Sequence, residues 1–576
     1  MAAKVVSNLA AGVCLVIGLA IFTSSLVATS ESQILGPIKD FWQFMPLLQA
    51  FDRGESLMPL LLSPHGGAHR IVVPRLFFLA EYSFFQGTNL FLMSVGVIAH
   101  LILVAVLLRA VQNKRNRLTR TELVFSVGLI LALNLSATQF PNFVRPWNVA
   151  WYLCATGMIA AFACLIRANA SNQQGLPVRA WSWWVGTVVM TWIASYSMAN
   201  GLLIWPSLLL IGFVMRLPGR FQAGSAIAGV ISIQLFSLPQ GQHTKLIERA
   251  DEIIPWVLNC LGSPLTWNHE TAGLLVAALG TLAAGVLVLR LLMRRTPALP
   301  GECLLLGLMV FSWGSVAMIA VGRVQWVWDS PRYQTVVLLF WLSVVLLGVL
   351  AFRRSRANQH LASSGVMLIA TLWLAGIIFP AHLESTSKMT RFVQKMRTAN
   401  TAVLMGVESK VHYRVVLPFS DHRHRRNSVA SHRVFLEEKR LGVFAHGYHE
   451  LLSRSLNDVY PAVDEARCRG AVRRPVRELK RKPGRQRRSA QVRGWVAATP
   501  GSELEDVLLV ASPDGTIVGL ARTLGRNFDP LNWRGRVRAS FRGYVRGVPG
   551  SVDVFAITKS GSVCPIARNV RVHASS

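Results

Sequence analysis

The residues best suited to chemistry in this 576-residue chain lie between positions 29 and 87. There Asp52, Arg53, Glu55, His65, His69, Arg70, Arg75 and Glu81 interrupt strongly apolar text. Asp52 and Glu55 stand three apart, a spacing that puts both carboxylates on one face if a helical turn joins them. Such a pair suits acid–base work, one carboxylate taking a proton while the other orients a partner. The plainer reading is a solvated acid pair at a helix end, and for Glu55 alone it is preferred. His65 and His69 have the i, i+4 spacing of half a metal site, but Gly66 and Gly67 oppose a rigid helix there. No third ligand is placed to complete a tetrahedral set, so a metal site is not expected here; a divalent cation is possible but not required, because arginines alone can stabilise a monophosphate. His69 with Arg70 suits a phosphate better, because a guanidinium offers a bidentate fork and an imidazole adds a hydrogen bond.

A second group of polar residues is scattered through short gaps between apolar stretches. Arg145 and Trp147 lie in PNFVRPWN, Asn200 in SMANGLLIWP, and Arg323, Arg332 and Tyr333 in GRVQWVWDSPRY. The three arginines are candidate donors to a phosphate. Taken singly, each is equally well explained as a side chain that anchors a helix end at a membrane surface. The gap from 239 to 271 adds Lys245, Glu248, Arg249, Asp251, Glu252, His269 and Glu270, expected as a small helical cap.

The elements that must position these residues are membrane helices. A bilayer core about 30 Å thick needs roughly 20 apolar residues per helix, and cytoplasmic gaps keep Lys and Arg. Eleven stretches fit, starting near 5 to 28 and 88 to 111. The others lie near 122 to 139, 149 to 166, 181 to 198, 200 to 217, 222 to 238, 272 to 293, 302 to 321, 334 to 352 and 363 to 380. Basic gaps at Lys114 to Arg120, Arg167 to Arg179, Arg216 to Arg220, Arg294 to Arg295 and Arg353 to Arg356 mark the inner side. The N-terminus is then inside, and the loop 29–87 and everything after Pro380 are outside. A cleaved signal peptide is the alternative for the first stretch, but its apolar run is too long for one. Within the outer loop, Phe41 to Phe51 and Ile71 to Phe85 are apolar but interrupted by Pro46 and Pro74, which predicts amphipathic helices lying along the interface. Charges held beside a membrane are costly unless paired or used.

Hydrophobic residues make up 52% of the chain and the mean hydropathy is +0.40, values of a polytopic membrane protein with room for a soluble domain. The formal charge of +32 concentrates beyond Pro380, with a dense run from Arg473 to Arg488. Its outer placement argues against nucleic acid. Anionic lipid head groups or phosphorylated envelope polymers are better partners, and a solvated Arg-rich linker explains the run equally well. Cys14, Cys154, Cys164 and Cys303 fall in or beside apolar spans and Cys260 in an outer gap. Cys468 and Cys564 bracket the C-terminal region and are expected to pair in an oxidising compartment. From about Val492 the text alternates as strands do, with Pro513, Asp514 and Gly515 as a hairpin turn and Trp495 expected in the core, which predicts a β-sandwich. The resulting domains are a membrane region 1–380, a helix and loop connector 381–467, and a β domain 468–576.

With a first span, a long outer loop holding an acid, many further spans and an external C-terminal domain, the chain resembles the GT-C class of polytopic glycosyltransferases. The stretches HGGAHRIVVPRLFFLAEY, SMANGLLIWP and GR...SPRY carry the resemblance to a bacterial branch of it, over most of residues 1 to 380. That resemblance implies a multi-pass protein of the bacterial inner membrane with a periplasmic C-terminal β-sandwich. It also implies transfer of a sugar from a polyprenyl-phosphate carrier to an envelope glycan, lipid or protein. A carboxylate in the first outer loop would be catalytic, with Asp52 the first choice and Glu81 the second. His65, His69, Arg70, Arg75, Arg145, Asn200, Arg323, Arg332 and Tyr333 would surround the phosphate. An O-antigen-type polymerase or ligase and a lipid flippase are the rival readings.

Overall fold

A computed structural model describes the chain apart from residues 1, 66–68, 114–115, 117, 237–248, 267–269, 354–358, 408–409, 418–421, 461–462, 465–467, 474–475, 479–488, 500–501, 527–538, 548–549 and 574–576. The centre of the HGGAHR stretch, Lys245, Glu248, His269 and most of the 473–488 basic run therefore lie outside the described residues. The chain forms two compact units. One contains Met1–Val27, Met58–Phe77 and Met93–Thr386, and the other Ala28–Leu57, Phe78–Leu92 and Ser387–Ser576.

Among the described residues, eight helices are long and apolar enough to cross a membrane. They are Lys4–Ser30, Leu90–Val111, Arg120–Val144, Pro146–Gln173, Glu270–Leu292, Pro300–Arg323, Pro331–Phe352 and Ala362–Leu404. The other three expected spans are helical but fall short of that standard. They form Pro177–Ser195, a 3-10 turn Ala199–Leu203 running into Ile204–Met215, and Gly219–Phe236. Twelve residues of Ile204–Met215 rise only about 18 Å at 1.5 Å per residue, well under the bilayer core. Close helix approach relies on glycine: a Cβ on Gly18 would overlap the backbone of Gly128.

The last crossing does not stop at Pro380. Its helix runs unbroken from Ala362 to Leu404, with a π turn at Leu374–Ile378. Pro380 offers no N–H to the carbonyl of Gly376, and the widened turn absorbs that missing bond.

Most of the loop 29–87 belongs to the second unit, and the two helices expected in it are present. Pro46 sits in the first turn of Met45–Asp52, a position where proline initiates a helix rather than breaking it. Pro74 likewise falls in the first turn of Val72–Phe85. Phe41 packs on Phe78 and Tyr82 at 5.0 and 5.5 Å, and Phe44 on Phe78 at 4.8 Å. Connector residues bond to the chain on either side of it. Gly442 N–H donates to Gln86 O at 2.7 Å, and Arg397 donates to the carbonyls of Gln33 and Glu31 at 2.9–3.0 Å.

The β region contains β1 (Cys468–Val472), β2 (Val476–Glu478), β3 (Ser489–Ala498), β4 (Leu504–Ala511), β5 (Ile517–Arg526), β6 (Ala539–Arg546), β7 (Ser551–Thr558) and β8 (Val563–His573). They form one sheet in the order β1-β3-β2-β8-β7-β4-β5-β6, and β3 also pairs antiparallel with β6. The expected sandwich thus takes the form of a near-barrel, a single sheet of seven strands curled until its ends meet, with β1 added on β3. Ala490, Val492, Val510, Ala521, Phe541, Val545 and Val554 fill its interior. Trp495 alternates with Val492 and Val496 and faces outward, so it is not in that core. The β4–β5 hairpin turns at Gly515, whose φ of +84° suits glycine, while the Asp514 carboxylate accepts from Thr516 N–H at 3.0 Å. Cys468 and Cys564 form a disulfide between β1 and β8, with Cα atoms 6.2 Å apart. The other five cysteines are free.

Candidate functional site: a cationic cluster at one end of the helices

The first unit gathers most of the polar residues singled out above at one end of its helices. Arg323 is the last residue of Pro300–Arg323, and Tyr333 closes a 3-10 turn, Pro331–Tyr333, that opens the next helix. The two arginines that flank the intervening loop donate to the same phenol oxygen, Arg323 Nη1 at 3.2 Å and Arg332 Nη2 at 3.1 Å. The Tyr333 ring is buried and packs on Trp256 at 5.9 Å, with the Arg332 guanidinium 5.0 Å from the ring centre. Among the described residues neither arginine has a carboxylate within ion-pair range, and Arg332 Nε is buried with no hydrogen-bond partner. Two cations sharing one neutral oxygen are under-compensated, and a further anion is the group that would balance them.

A buried amide and hydroxyl network holds this turn. Asn142 Nδ2 donates to Arg332 O at 3.0 Å and to Thr335 Oγ1 at 2.7 Å. Thr335 donates on to Gln139 Oε1 at 2.6 Å, and Asn148 Nδ2 donates to Asn142 Oδ1 at 2.9 Å. Pro141 and Pro146 start the two short helical turns that carry Asn142 and Asn148, with Arg145 as the residue between them. Such satisfied networks fix one geometry, since an orphaned member would cost as much as a buried unpaired polar group.

His65 and His69 are joined by a two-way backbone bridge at 2.7 and 3.0 Å, so they sit on paired extended backbone rather than on one helix face. The His65 ring lies 4.4 Å from that of Trp147. His69 Nδ1 accepts from Ala199 N–H at 3.3 Å, which puts the proton of the neutral ring on Nε2. Burial drives both imidazoles well below their usual range, His65 to about 3 and His69 to about 4. Repulsion adds to it, from Arg75, Arg323 and, when it is protonated, His69 for His65, and from Arg323 and Arg332 for His69. These two histidines and three arginines therefore share one electrostatic neighbourhood, and at neutral pH the imidazoles act as neutral hydrogen-bonding groups. Asn200 is buried in the tight turn beside Ala199, where Gly201 is needed because a Cβ would overlap the backbone of Ala194.

Arg70 and Arg75 have structural duties. Arg70 donates from Nε to Phe236 O at 2.8 Å and from Nη1 to Leu62 O at 2.7 Å. Arg75 Nη1 donates to Leu61 O and Ser63 O at 2.6 Å, and burial lowers its pKa to about 10. These bonds clamp the segment around residues 58 to 70.

The two candidate carboxylates belong to the second unit. Helix Met45–Asp52 ends at Asp52 and Gly54 takes a left-handed φ of +68°, so no helical turn spans Asp52 and Glu55. Asp52 instead accepts from Lys439 Nζ at 2.6 Å, and Glu55 pairs with Arg53 at 2.5 Å. Glu81 is fully buried and accepts from Asn89 N–H at 2.7 Å and Leu92 N–H at 3.0 Å, capping the start of Leu90–Val111. Burial raises its pKa, and the backbone donors partly offset that. Lys439 was missed as a partner of Asp52 because nothing local in FLEEKRLGVF points to a residue 387 positions earlier.

Among the described residues no group of three His, Cys, Asp or Glu side chains could hold a metal ion. The chain is, in architecture, a polytopic helical region followed by a β domain, and in comparison with known proteins it matches no family model, no curated protein and no solved structure.

Proposed function

We propose that the chain is a membrane glycosyltransferase that takes a sugar from a polyprenyl-phosphate carrier and passes it to a cell-envelope acceptor on the outer, periplasmic face of a bacterial inner membrane. The reading takes the three shorter helices as crossings, eleven in all, with the N-terminus cytoplasmic. One observation carries it: Arg323 and Arg332 converge on Tyr333 Oη, among the described residues with no carboxylate in ion-pair range, in the electrostatic neighbourhood of the neutral His69. In transfer, the acceptor oxygen bonds to the anomeric carbon as the carbon–oxygen bond to phosphate breaks. The electron pair leaves on the phosphate, where two guanidiniums stabilise the developing charge. The acceptor proton goes to a carboxylate. Asp52 is the first candidate for that role and Glu81 the second, on the sequence pattern alone.

A second reading, a carrier that binds lipid phosphate without transfer, is favoured by the ion pair that occupies Asp52. The test is incubation of the purified full chain with polyprenyl-phosphate sugars and envelope acceptors, comparing wild type with Asp52→Asn, Glu81→Gln and Arg332→Gln. Transfer abolished by Asp52→Asn and Arg332→Gln supports the enzyme. Binding of the carrier with no turnover by any form supports the second reading. No binding by wild type overturns both.

A further inference from the structure

On the outer face of the near-barrel, three arginines stand in one row across neighbouring strands. Arg493 of β3 is directly opposite Arg542 of β6, and Arg542 is directly opposite Arg522 of β5. Directly paired residues of antiparallel strands have Cβ atoms about 5 Å apart, and like charges so placed are destabilising. The row lies on the face away from the interior, since Val492, Phe541 and Ala521, one residue along in each strand, line the core. Arg493 is exposed, Arg542 is half-buried, and Arg522 is the most enclosed of the three, burial lowering its pKa.

Compensation is uneven along the row. Arg522 has Asp506 as an attractive neighbour, and Asp506 is held by Thr523 Oγ1 at 2.9 Å. It also has Arg397 as a repulsive one. At the other end, neither Arg542 nor Arg493 has a carboxylate within ion-pair range among the described residues, and Arg542 Nε is buried without a hydrogen-bond partner. Neutral groups lie on the same face beside Arg542. Tyr544 and Gln491 are bonded at 3.2 Å, and Tyr544 meets His412 Nε2 at 2.6 Å. Burial holds His412 well below its usual range, so it is neutral there and neither adds to the positive charge nor offsets it.

A fold gains nothing from stacking three guanidiniums in this way, so the cost points to a ligand. We infer that this row is a binding surface for a phosphate-bearing polyanionic chain. Guanidinium forks match phosphate oxygens in pairs. Two strand spacings stretch the row over about 10 Å, which suits successive charges along a chain better than one isolated phosphate. The inference stands apart from the transfer reaction proposed above.

The test uses the purified full chain in detergent, with linear polyphosphate as probe and poly-L-glutamate and inorganic phosphate as comparisons. Polyphosphate is expected to bind best, with affinity falling as salt rises. Arg542→Gln and Arg493→Gln should each weaken it about five-fold, and together more. Without polyanion, Arg542→Gln should raise the melting temperature, since it removes the central repulsion, a change a structural arginine would not give. Equal binding of poly-L-glutamate, wild-type affinity in both variants, or a lowered melting temperature with unchanged binding would each overturn the inference. Should Arg542→Gln fail to fold, the exposed Arg493→Gln carries the affinity test alone.

Discussion

Tyr333→Phe is the most informative single change at the cationic cluster. It removes one oxygen and leaves the ring, so packing on Trp256 is kept while Arg323 and Arg332 lose their shared acceptor. Hydrogen bonds to charged groups contribute about 1.5–3 kcal/mol each when buried. Both guanidiniums are partly exposed and water replaces part of what is lost, which brings the combined cost down to about 1–2 kcal/mol. The functional effect follows from the same atoms. With the phenol gone the two forks are no longer held toward one point, and an anion must order them on binding. That should weaken lipid phosphate about ten-fold, or ~1.4 kcal/mol. Arg332→Gln removes a donor outright and should weaken it further. The assay is equilibrium binding of a short-chain isoprenyl phosphate to the purified chain, read alongside thermal melting. A Tyr333→Phe protein that melts lower but binds as wild type would show the cluster to be scaffolding, and unchanged binding by Arg332→Gln would remove the phosphate site altogether.

Other expectations follow from the same contacts. Glu81→Ala leaves the N–H groups of Asn89 and Leu92 without acceptors and should cost ~2–4 kcal/mol, seen as a lowered melting temperature, while Glu81→Gln keeps one acceptor oxygen and should cost less. A Glu81→Ala chain that melts as wild type but cannot transfer sugar would make Glu81 catalytic after all. His65 and His69 have folded pKa values of about 3 and about 4 against 6.5 ordinarily, so below pH 6.5 the unfolded chain takes up protons that the folded one does not. Their contribution is full above pH 6.5 and is lost as pH falls toward those values. His69→Gln should therefore flatten the decline of melting temperature between pH 6.5 and 4, and a slope unchanged from wild type would contradict the assignment. Cys468→Ser opens a loop of sequence separation 96, and the chain-entropy estimate is roughly 4–5 kcal/mol, measurable as a loss of melting temperature that reductant reproduces in wild type.

Legibility in the sequence followed the range of the forces involved. Long apolar helices, the β4–β5 turn at Pro513 to Gly515 and the two cysteines that bond are each written in local residue types, and each is found. Helix endings were harder. Pro380 reads as a stop, yet a π turn six residues upstream lets the helix continue. Trp495 reads as core by size, but strand alternation with Val492 and Val496 decides its face. At the candidate site, residue type was readable and pairing was not. Arg70 and Arg75 look like phosphate donors until the carbonyls of Leu61, Leu62, Ser63 and Phe236 are seen to take their hydrogens. Asp52 and Glu81 read as first and second choice of catalytic carboxylate, and nothing near either in the sequence announces that one meets Lys439 and the other a helix start.

The interleaving of the second unit from three separate stretches bears on how the protein is made. Residues 28–57 and 78–92 leave the ribosome long before Ser387–Ser576, yet they complete themselves only with that later chain. Phe41, Phe44 and Phe78 belong to a unit that is complete only once the final third has been synthesised. A chain truncated near residue 386 should retain its membrane helices while exposing this aromatic cluster, and should be recognised as defective by quality-control proteases.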